Sequence, residues 1–309
     1  AMMHLVLHVG AQGTDGGQIA AWLAKNRAAL EPQGLALPAP GAFLRRISTA
    51  LDQGRADDPF RREEALLRDL GASGQRLRMV VSAPGLLGSS ADVLALEGFY
   101  QRDLRRRLHA LGTLFPRTRL SLLLATGPAR QVIPALLPDT PGAAEALLAA
   151  IPEDRLPWAR LARSIRNQLP HANLIAWRHE NLSLVWPQVF RALVGRGVVL
   201  PLAGLIDFAA RDLGAEATLR LRRYLTANPP QGVRQLCDVA GIFGRKFGLA
   251  VSGEGAVALP GWLPERLAGL DRGYETEWAE LAAIRGVTVL PGPGEDSAET
   301  LAGAGNPTR

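Results

Sequence analysis

The chain reads His4-Leu-Val-Leu-His-Val9, Gly10-Ala-Gln-Gly-Thr-Asp-Gly-Gly17 and Gln18-Ile-Ala-Ala-Trp-Leu-Ala-Lys-Asn-Arg27 in direct succession. An apolar run, a glycine-rich run and a helical pattern in this order predict a strand, a turn and a helix. In a parallel sheet, such a unit aims backbone N–H groups and the positive end of a helix dipole at one point, where anions bind. We therefore expect a phosphate or sulfate site at this glycine-rich loop (residues 10–17), although residues 1–24 contain no lysine to reach the outer phosphates.

The composition of the chain is that of a globular protein. Hydrophobic residues make up 47% of its 309 residues, but no apolar run is long enough for a membrane helix. The first residues lack the features of a secretory signal. The single cysteine, Cys237, allows no internal disulfide and no cysteine-based metal cluster. We expect a cytoplasmic protein with no bound metal and no membrane partner, whose oligomeric state the sequence leaves open.

The net charge of +6 suggests an acidic partner, and an anionic small molecule is the expected one. All but two of the 35 basic residues are arginines, and many lie beside acidic residues, as in Arg61-Arg-Glu-Glu64. Nucleic-acid-binding proteins usually concentrate their positive charge on one face and add aromatic side chains. No nucleic-acid partner is therefore expected. The arginines of the helical pattern at 98–115 are read as a solvated face in preference to a ligand patch.

Short apolar runs recur along the chain with helical patterns between them. This alternation predicts an α/β fold with a parallel sheet wound by helices on both faces. We expect a single domain over residues 1–291, of which the portion at about 214–285 is helical. Beyond the first, strands are expected at 77–81, 119–125, 173–177 and, late in the chain, 287–290. Helices are expected at 43–51, 60–70, 98–115, 129–137 (interrupted by Pro134 and Pro138), 158–169, 186–194 (with Pro187 near its first turn), 215–226, 233–247 and 264–284. Residues 141–155 are expected to form a lid-like insertion, and residues 292–309 a disordered tail.

These segments resemble bacterial sulfotransferase-like proteins of the P-loop superfamily, most closely an alphaproteobacterial branch with a degenerate cosubstrate loop. The resemblance begins with the motif His8-Val-Gly-Ala-Gln-Gly-Thr14 and continues through the later strands and turns. It implies the sulfotransferase variant of the P-loop fold, with transfer of a sulfuryl group from 3′-phosphoadenosine-5′-phosphosulfate to a hydroxyl or amine. The further matching segments are 18–35, 79–88, 122–136, 176–186, Leu259–Trp262 and 270–290.

The resemblance also implies where the cosubstrate would bind. The loop lysine of active members aligns with Gly13, and the next loop glycine with Asp15. The two residues that hold the 3′-phosphate fall at about Thr126 and Ala135, with Arg130 near enough to substitute; an acidic residue of related proteins aligns with Pro84. The implied cosubstrate-binding residues are Gly10, Gln12, Gly13, Thr14, Gly16, Gly17 and Arg130.

The resemblance implies a lysine at Gly13 and hydroxyl residues at Gly16 and Gly17, and their absence divides the functional hypotheses. Because sulfuryl transfer depends on stabilising charged oxygens, the preferred hypothesis is a non-catalytic ligand- or partner-binding protein with an eroded phosphosulfate site. The alternative is an active sulfotransferase that uses Arg130 and backbone amides, with 3′-phosphoadenosine-5′-phosphosulfate as its cosubstrate. A third hypothesis, a partner-binding module that no longer binds small anions, predicts a filled cleft.

Other residues have both a functional and a structural interpretation. His8, at a strand end, is a weak candidate for a general base, against the alternative of a hydrogen-bonded structural histidine. His179 and Glu180 follow the fourth strand and would either bind a ligand or form local salt bridges. Ser82 is read equally as a ligand contact or a turn serine. Trp22 is expected in the core, and Cys237 is not expected to act as a nucleophile.

Overall fold

A computed structural model describes residues 2–52, 58–72, 74, 76–89, 92–95, 98–100, 103–138, 141–248 and 263–291 of the chain. The expected tail at 292–309 and the segment Leu259–Trp262 lie outside the described residues. Residues 249–258, which lie between the helical patterns expected at 233–247 and 264–284, are also outside the described residues.

The fold is α/β, built on a parallel sheet. Within the described residues, six strands pair side by side in the order β2-β3-β1-β6-β7-β8, and every pairing is parallel. A separate antiparallel pair, β4-β5, lies outside this sheet. The strands are β1 (His4–Gly10), β2 (Leu35–Ala36), β3 (Arg78–Ser82), β4 (Leu94–Ala95), β5 (Gly98–Phe99), β6 (Arg119–Thr126), β7 (Asn173–Arg178) and β8 (Val287–Leu290).

Helices connect the strands of the sheet, as the alternation of patterns predicted. They are α1 (Gln18–Lys25), α2 (Arg27–Leu30), α3 (Pro40–Asp52), α4 (Pro59–Asp69), α5 (Leu104–Leu114), α6 (Ala129–Leu136), α7 (Pro141–Ala149), α8 (Trp158–Gln168), α9 (Leu182–Val194), α10 (Ile206–Ala209), α11 (Ala215–Ala227), α12 (Val233–Phe247), α13 (Leu263–Arg272) and α14 (Tyr274–Ala282). Short 3₁₀ helices occupy Glu31–Gln33, Pro84–Leu86 and His179–Asn181.

The two faces of the sheet carry separate hydrophobic clusters. Leu5, Leu7 and Val9 of β1 face the cluster that packs against α3 to α6, α8, α13 and α14. Val6, between them, faces the cluster formed with α1, α2, α9, α10 and α12, and Trp22 is buried there. Because successive side chains of a strand point to opposite faces, an almost uninterrupted apolar strand is the one that helices cover on both sides. The predicted two-sided winding is confirmed.

Several predicted boundaries were wrong. The helix expected over 98–115 begins only at Leu104, because Gly98–Phe99 pairs with β4. The lid-like insertion at 141–155 contains the helix α7. The helix expected at 264–284 is two helices separated at Gly273, where a Cβ atom would lie 2.7 Å from the Cβ atom of Arg155. Helix α9 starts at Leu182, four residues earlier than expected, and α6 continues through Pro134.

The topology places the carboxyl end of β1 at the point where the strand order reverses. β2 and β3 lie on one side of β1, and β6, β7 and β8 lie on the other. In open α/β sheets, ligands bind in the crevice outside the carboxyl ends of the strands at this switch point. The glycine-rich loop directly follows β1 and therefore lies at the position where a binding site is expected.

The buried carboxylate of Glu63 provides a test of the packing on the α4 side. It is 1% exposed and accepts hydrogen bonds from Thr118 N (2.9 Å), Thr118 Oγ1 (2.7 Å) and Arg117 N (3.1 Å). Glu63→Ala removes the acceptor for these donors, so we expect the free energy of unfolding in urea to fall by roughly 3 kcal/mol. Glu64→Ala, which breaks only an exposed ion pair with Arg117, should cost about 1 kcal/mol or less. Equal losses would contradict the buried role of Glu63.

Candidate functional site

The glycine-rich loop turns sharply from β1 into α1. Gly10, Gly13, Gly16 and Gly17 all have positive φ angles (105°, 84°, 59° and 87°), which side chains rarely tolerate. The hydroxyl of Thr14 donates to the carbonyl of Ala11 and tightens the turn. The structure thus brings together the loop residues that the resemblance implied: Gly10, Gln12, Gly13, Thr14, Gly16 and Gly17.

The carboxylate of Asp15 occupies the N-terminus of α1. Its Oδ1 accepts from the amide of Gly17 at 3.3 Å, and its Oδ2 accepts from the amide of Ile19 at 3.0 Å. The residue is only 5% exposed. These amides and the helix dipole are the features that bind a phosphate in a nucleotide-binding loop. Here they are engaged by an anion that belongs to the chain itself.

The position that aligns with the loop lysine has no room for a side chain. A Cβ atom on Gly13 would lie 2.9 Å from the carbonyl oxygen of Val132 and 3.0 Å from Cγ of Leu136, both on α6. The neighbouring amide of Gln12 donates to the hydroxyl of Tyr100 at 3.2 Å. Pro84, which follows β3, lies against Gly10. Helix α6 and two other segments therefore cover the loop.

The residues implied for the 3′-phosphate have other partners. Thr126 is fully buried and its hydroxyl is 2.8 Å from the hydroxyl of Tyr274 on α14. Arg130, at the start of α6, pairs with Asp271 of α13 at 3.1 Å. Ala135 is exposed on α6. Arg130 is therefore engaged by a carboxylate of the chain.

His8 is fully buried at the end of β1. Its Nδ1 is 2.8 Å from the hydroxyl of Ser82 on β3, and its ring stacks on Trp177 with centroids 5.8 Å apart. In the described part of the chain its Nε2 has no hydrogen-bond partner. Burial lowers the pKa of His8, although the charge of Asp15 acts in the opposite direction. These contacts agree with the structural interpretation of His8 and Ser82, because solvent does not reach the imidazole.

His179 and Arg211 complete a group that the sequence did not reveal. His179 is 2% exposed, and burial, followed by the charge of Arg211, lowers its pKa to about 3. Burial also lowers the pKa of the Arg211 guanidinium, while the charges of Asp212 and Asp15 raise it. We call His8, Asp15, His179 and Arg211 the polar cluster. It contains one carboxylate, one guanidinium and two imidazoles that burial keeps neutral.

Glu180 holds α14 onto the edge of the sheet. Its carboxylate accepts from Arg178 Nε at 2.8 Å and from the hydroxyl of Tyr274 at 3.2 Å. Arg178 also pairs with Glu275 of α14, and its hydrogen bond holds the pKa of the Glu275 carboxyl below the usual range. The local salt-bridge interpretation of Glu180 therefore describes its contacts, whereas the adjacent His179 belongs to the polar cluster.

An apolar cavity of about 580 Å³ opens beside this region, between α9 and α12. Cys237 lines it, and burial raises the pKa of the thiol to about 11, so that the reactive thiolate is not formed near neutral pH. The lining residues are Glu180, Asn181, Ser183, Leu184, Trp186, Pro187, Ala209, Asp212, Leu213, Arg234, Cys237, Asp238, Ala240, Gly241, Gly244 and Arg245. Among the described residues, no cluster of three or more histidine, cysteine or acidic side chains is suited to hold a metal ion.

Comparison of the chain with protein-family models, curated proteins and solved structures finds no match. In the part of the chain that the structure describes, no helix combines the length and the apolar character needed to cross a membrane.

The lowered pKa values of the buried histidines predict acid sensitivity. A histidine whose pKa falls from 6.5 in the unfolded chain to about 3 in the folded one, as for His179, takes up its proton preferentially in the unfolded state. Stability is then lost as the pH falls below about 6.5, by about 2 kcal/mol for this residue between pH 7 and pH 5. His179→Gln removes that titration, so the free energy of unfolding should fall less steeply over the same range.

The measurement is urea unfolding at pH 7, 6 and 5. His109, on the exposed surface of α5, is the matched control, and His109→Gln should keep the wild-type slope. A His179→Gln variant with the full wild-type loss would show that His179 does not titrate as its burial implies.

Proposed function

We propose that this chain is a non-catalytic ligand- or partner-binding protein with the sulfotransferase variant of the P-loop fold, located in the cytoplasm. The single observation that carries the proposal is the carboxylate of Asp15, which accepts from the amides of Gly17 and Ile19. The proposal rests on the sequence resemblance for the family and on this contact for the loss of cosubstrate binding.

Charge and space both oppose a phosphosulfate in the glycine-rich loop. A bound cosubstrate would place further negative charge beside Asp15, and like charges in one site repel or force protonation. The position of the missing lysine, Gly13, is closed by Val132 and Leu136. Restoring the lysine alone would therefore not restore the site, because α6 would have to move first.

The alternative, an active sulfotransferase, requires a cation at the loop. Arg130 is paired with Asp271, whereas Arg211 lies within electrostatic reach of Asp15 and has no ion pair with any described residue. Of these two arginines, Arg211 is therefore the one that would supply the cation in this alternative. Turnover of labelled phosphosulfate by the wild-type chain, lost in Arg211→Gln and kept in Arg130→Gln, would establish the alternative and exclude our proposal.

The proposal predicts how ligands affect thermal stability. Adenosine 3′,5′-bisphosphate at millimolar concentration should leave the melting temperature of the wild-type chain unchanged, whereas a ligand at a hundred times its Kd would stabilise by about 2.7 kcal/mol. Asp15→Gly frees the amides of Gly17 and Ile19, at a cost of about 1–3 kcal/mol for the lost hydrogen bonds to a buried carboxylate. This variant should gain a saturable stabilisation by sulfate.

Asp58→Gly is the matched control, because Asp58 caps α4 through the same kind of bond, from the amide of Phe60 at 3.1 Å. Because Asp58 is exposed and accepts only this one bond, the variant should lose less stability, and it should show only the general effect of sulfate on folding. A bisphosphate-dependent shift in the wild-type chain would overturn the proposal. The same sulfate response in both variants would show that Asp15 does not block an anion site.

A further inference from the structure

Helix α12 presents one face to solvent along most of its length. Its other face is buried through Val233, Leu236 and Ala240. Residues three or four positions apart lie in line along one side of a helix, and the exposed face of α12 is such a stripe. Ile242, near its middle, is a large apolar side chain that is 51% exposed. The exposed residues of the stripe are Arg234, Gln235, Asp238, Gly241, Ile242 and Arg245.

The charges at this face are balanced. Beside the ion-paired Glu180, the cavity between α9 and α12 is lined by two arginines, Arg234 and Arg245, and by two carboxylates, Asp212 and Asp238. Within the described residues, neither Asp238 nor Arg245 forms an ion pair. Nη1 of Arg245 lies 3.4 Å from the position of a Cβ atom on Gly241, so the guanidinium rests on its own helix. Such a face does not select a small ion of one sign, but it suits a surface with the same charges in reverse order.

The stripe on α12 is complementary to itself when two copies of the helix pack antiparallel. In a two-fold dimer, each contact between two different residues occurs twice. With the axis between Gly241 and Ile242, positions at equal distances from the axis face each other. Asp238 then lies opposite Arg245 of the second copy, and Ile242 lies opposite Gly241, which has no side chain to fill the space. A parallel arrangement would instead place like charges opposite each other, which is unfavourable.

We propose that the chain forms a weak homodimer in which α12 packs antiparallel on α12 of a second copy. Leu184 of α9, which lines the same cavity and is 67% exposed, would border the docked helix. The 15 residues of α12 span about 22 Å. Because this contact is small, we expect a dissociation constant in the micromolar range. The surface is separate from the glycine-rich loop, so the dimer neither requires nor excludes the function proposed above.

Sedimentation equilibrium of the full chain at about 1–100 μM measures this association. The wild-type chain should show a reversible equilibrium between monomer and dimer. Asp238→Arg and Arg245→Asp should each weaken the dimer by about tenfold or more, because either change places like charges opposite each other at both symmetric contacts. Both residues are exposed, so both variants should fold, and circular dichroism checks this.

An equimolar mixture of the Asp238→Arg and Arg245→Asp variants tests the antiparallel register. In the mixed dimer every arginine of the two contacts faces an aspartate, so association should return to the wild-type level. Glu216→Arg, which reverses an exposed charge of α11, is the matched control and should dimerise as the wild-type chain does. A wild-type chain that stays monomeric to about 100 μM would overturn the proposal. So would a dimer that neither reversal weakens, or a mixture that fails to associate.

Discussion

The amides of Gly17 and Ile19 donate hydrogen bonds to the carboxylate of Asp15. This is the interaction on which the carboxyl edge of the sheet depends. A helix that starts at the switch point presents unpaired N–H groups and a partial positive charge. Asp15 satisfies the amides of Gly17 and Ile19 from within the same turn. Because this anion is buried, the groups around it must compensate its charge, and the only guanidinium that acts on it in the polar cluster is Arg211. Burial keeps the two imidazoles of the polar cluster neutral.

Other helices at this edge are capped in a related way by residues distant in sequence. The amide of Ala159, in the first turn of α8, donates at 2.8 Å to Glu277 of α14, which is 4% exposed. Asp271 of α13 accepts from the amide and the guanidinium of Arg130 at the start of α6. The C-terminal helices α13 and α14 thus supply carboxylates to the N-termini of α6 and α8. At both of these helix N-termini, the acceptor is a carboxylate of the chain itself.

The sequence predicted what depends on local periodicity. The alternation of Leu5, Leu7 and Val9 with Val6 and His8 specifies the two faces of β1, because the period of a strand is two. It did not predict the division between α13 and α14 at Gly273, where Arg155, distant in sequence, leaves no room for a side chain. Helix α7 was missed although its residues, Pro-Gly-Ala-Ala-Glu-Ala-Leu-Leu-Ala, have Pro141 at the first position and good helix formers after it. The error there was one of interpretation, because the local signal was present.

The role of Asp15 shows why a site cannot be read from residue types alone. Aligned with a loop glycine, Asp15 is a carboxylate placed where a phosphosulfate should lie, which suggests simple repulsion. In the fold, the carboxylate instead turns back and accepts hydrogen bonds from the amides of Gly17 and Ile19. A nearby arginine could relieve the repulsion between Asp15 and a bound anion. Binding of an anion at the N-terminus of α1, however, requires that Asp15 first give up its hydrogen bonds to the amides of Gly17 and Ile19. Since Val132 and Leu136 also leave no space for a side chain at Gly13, a loop lysine at that position would require α6 to rearrange as well.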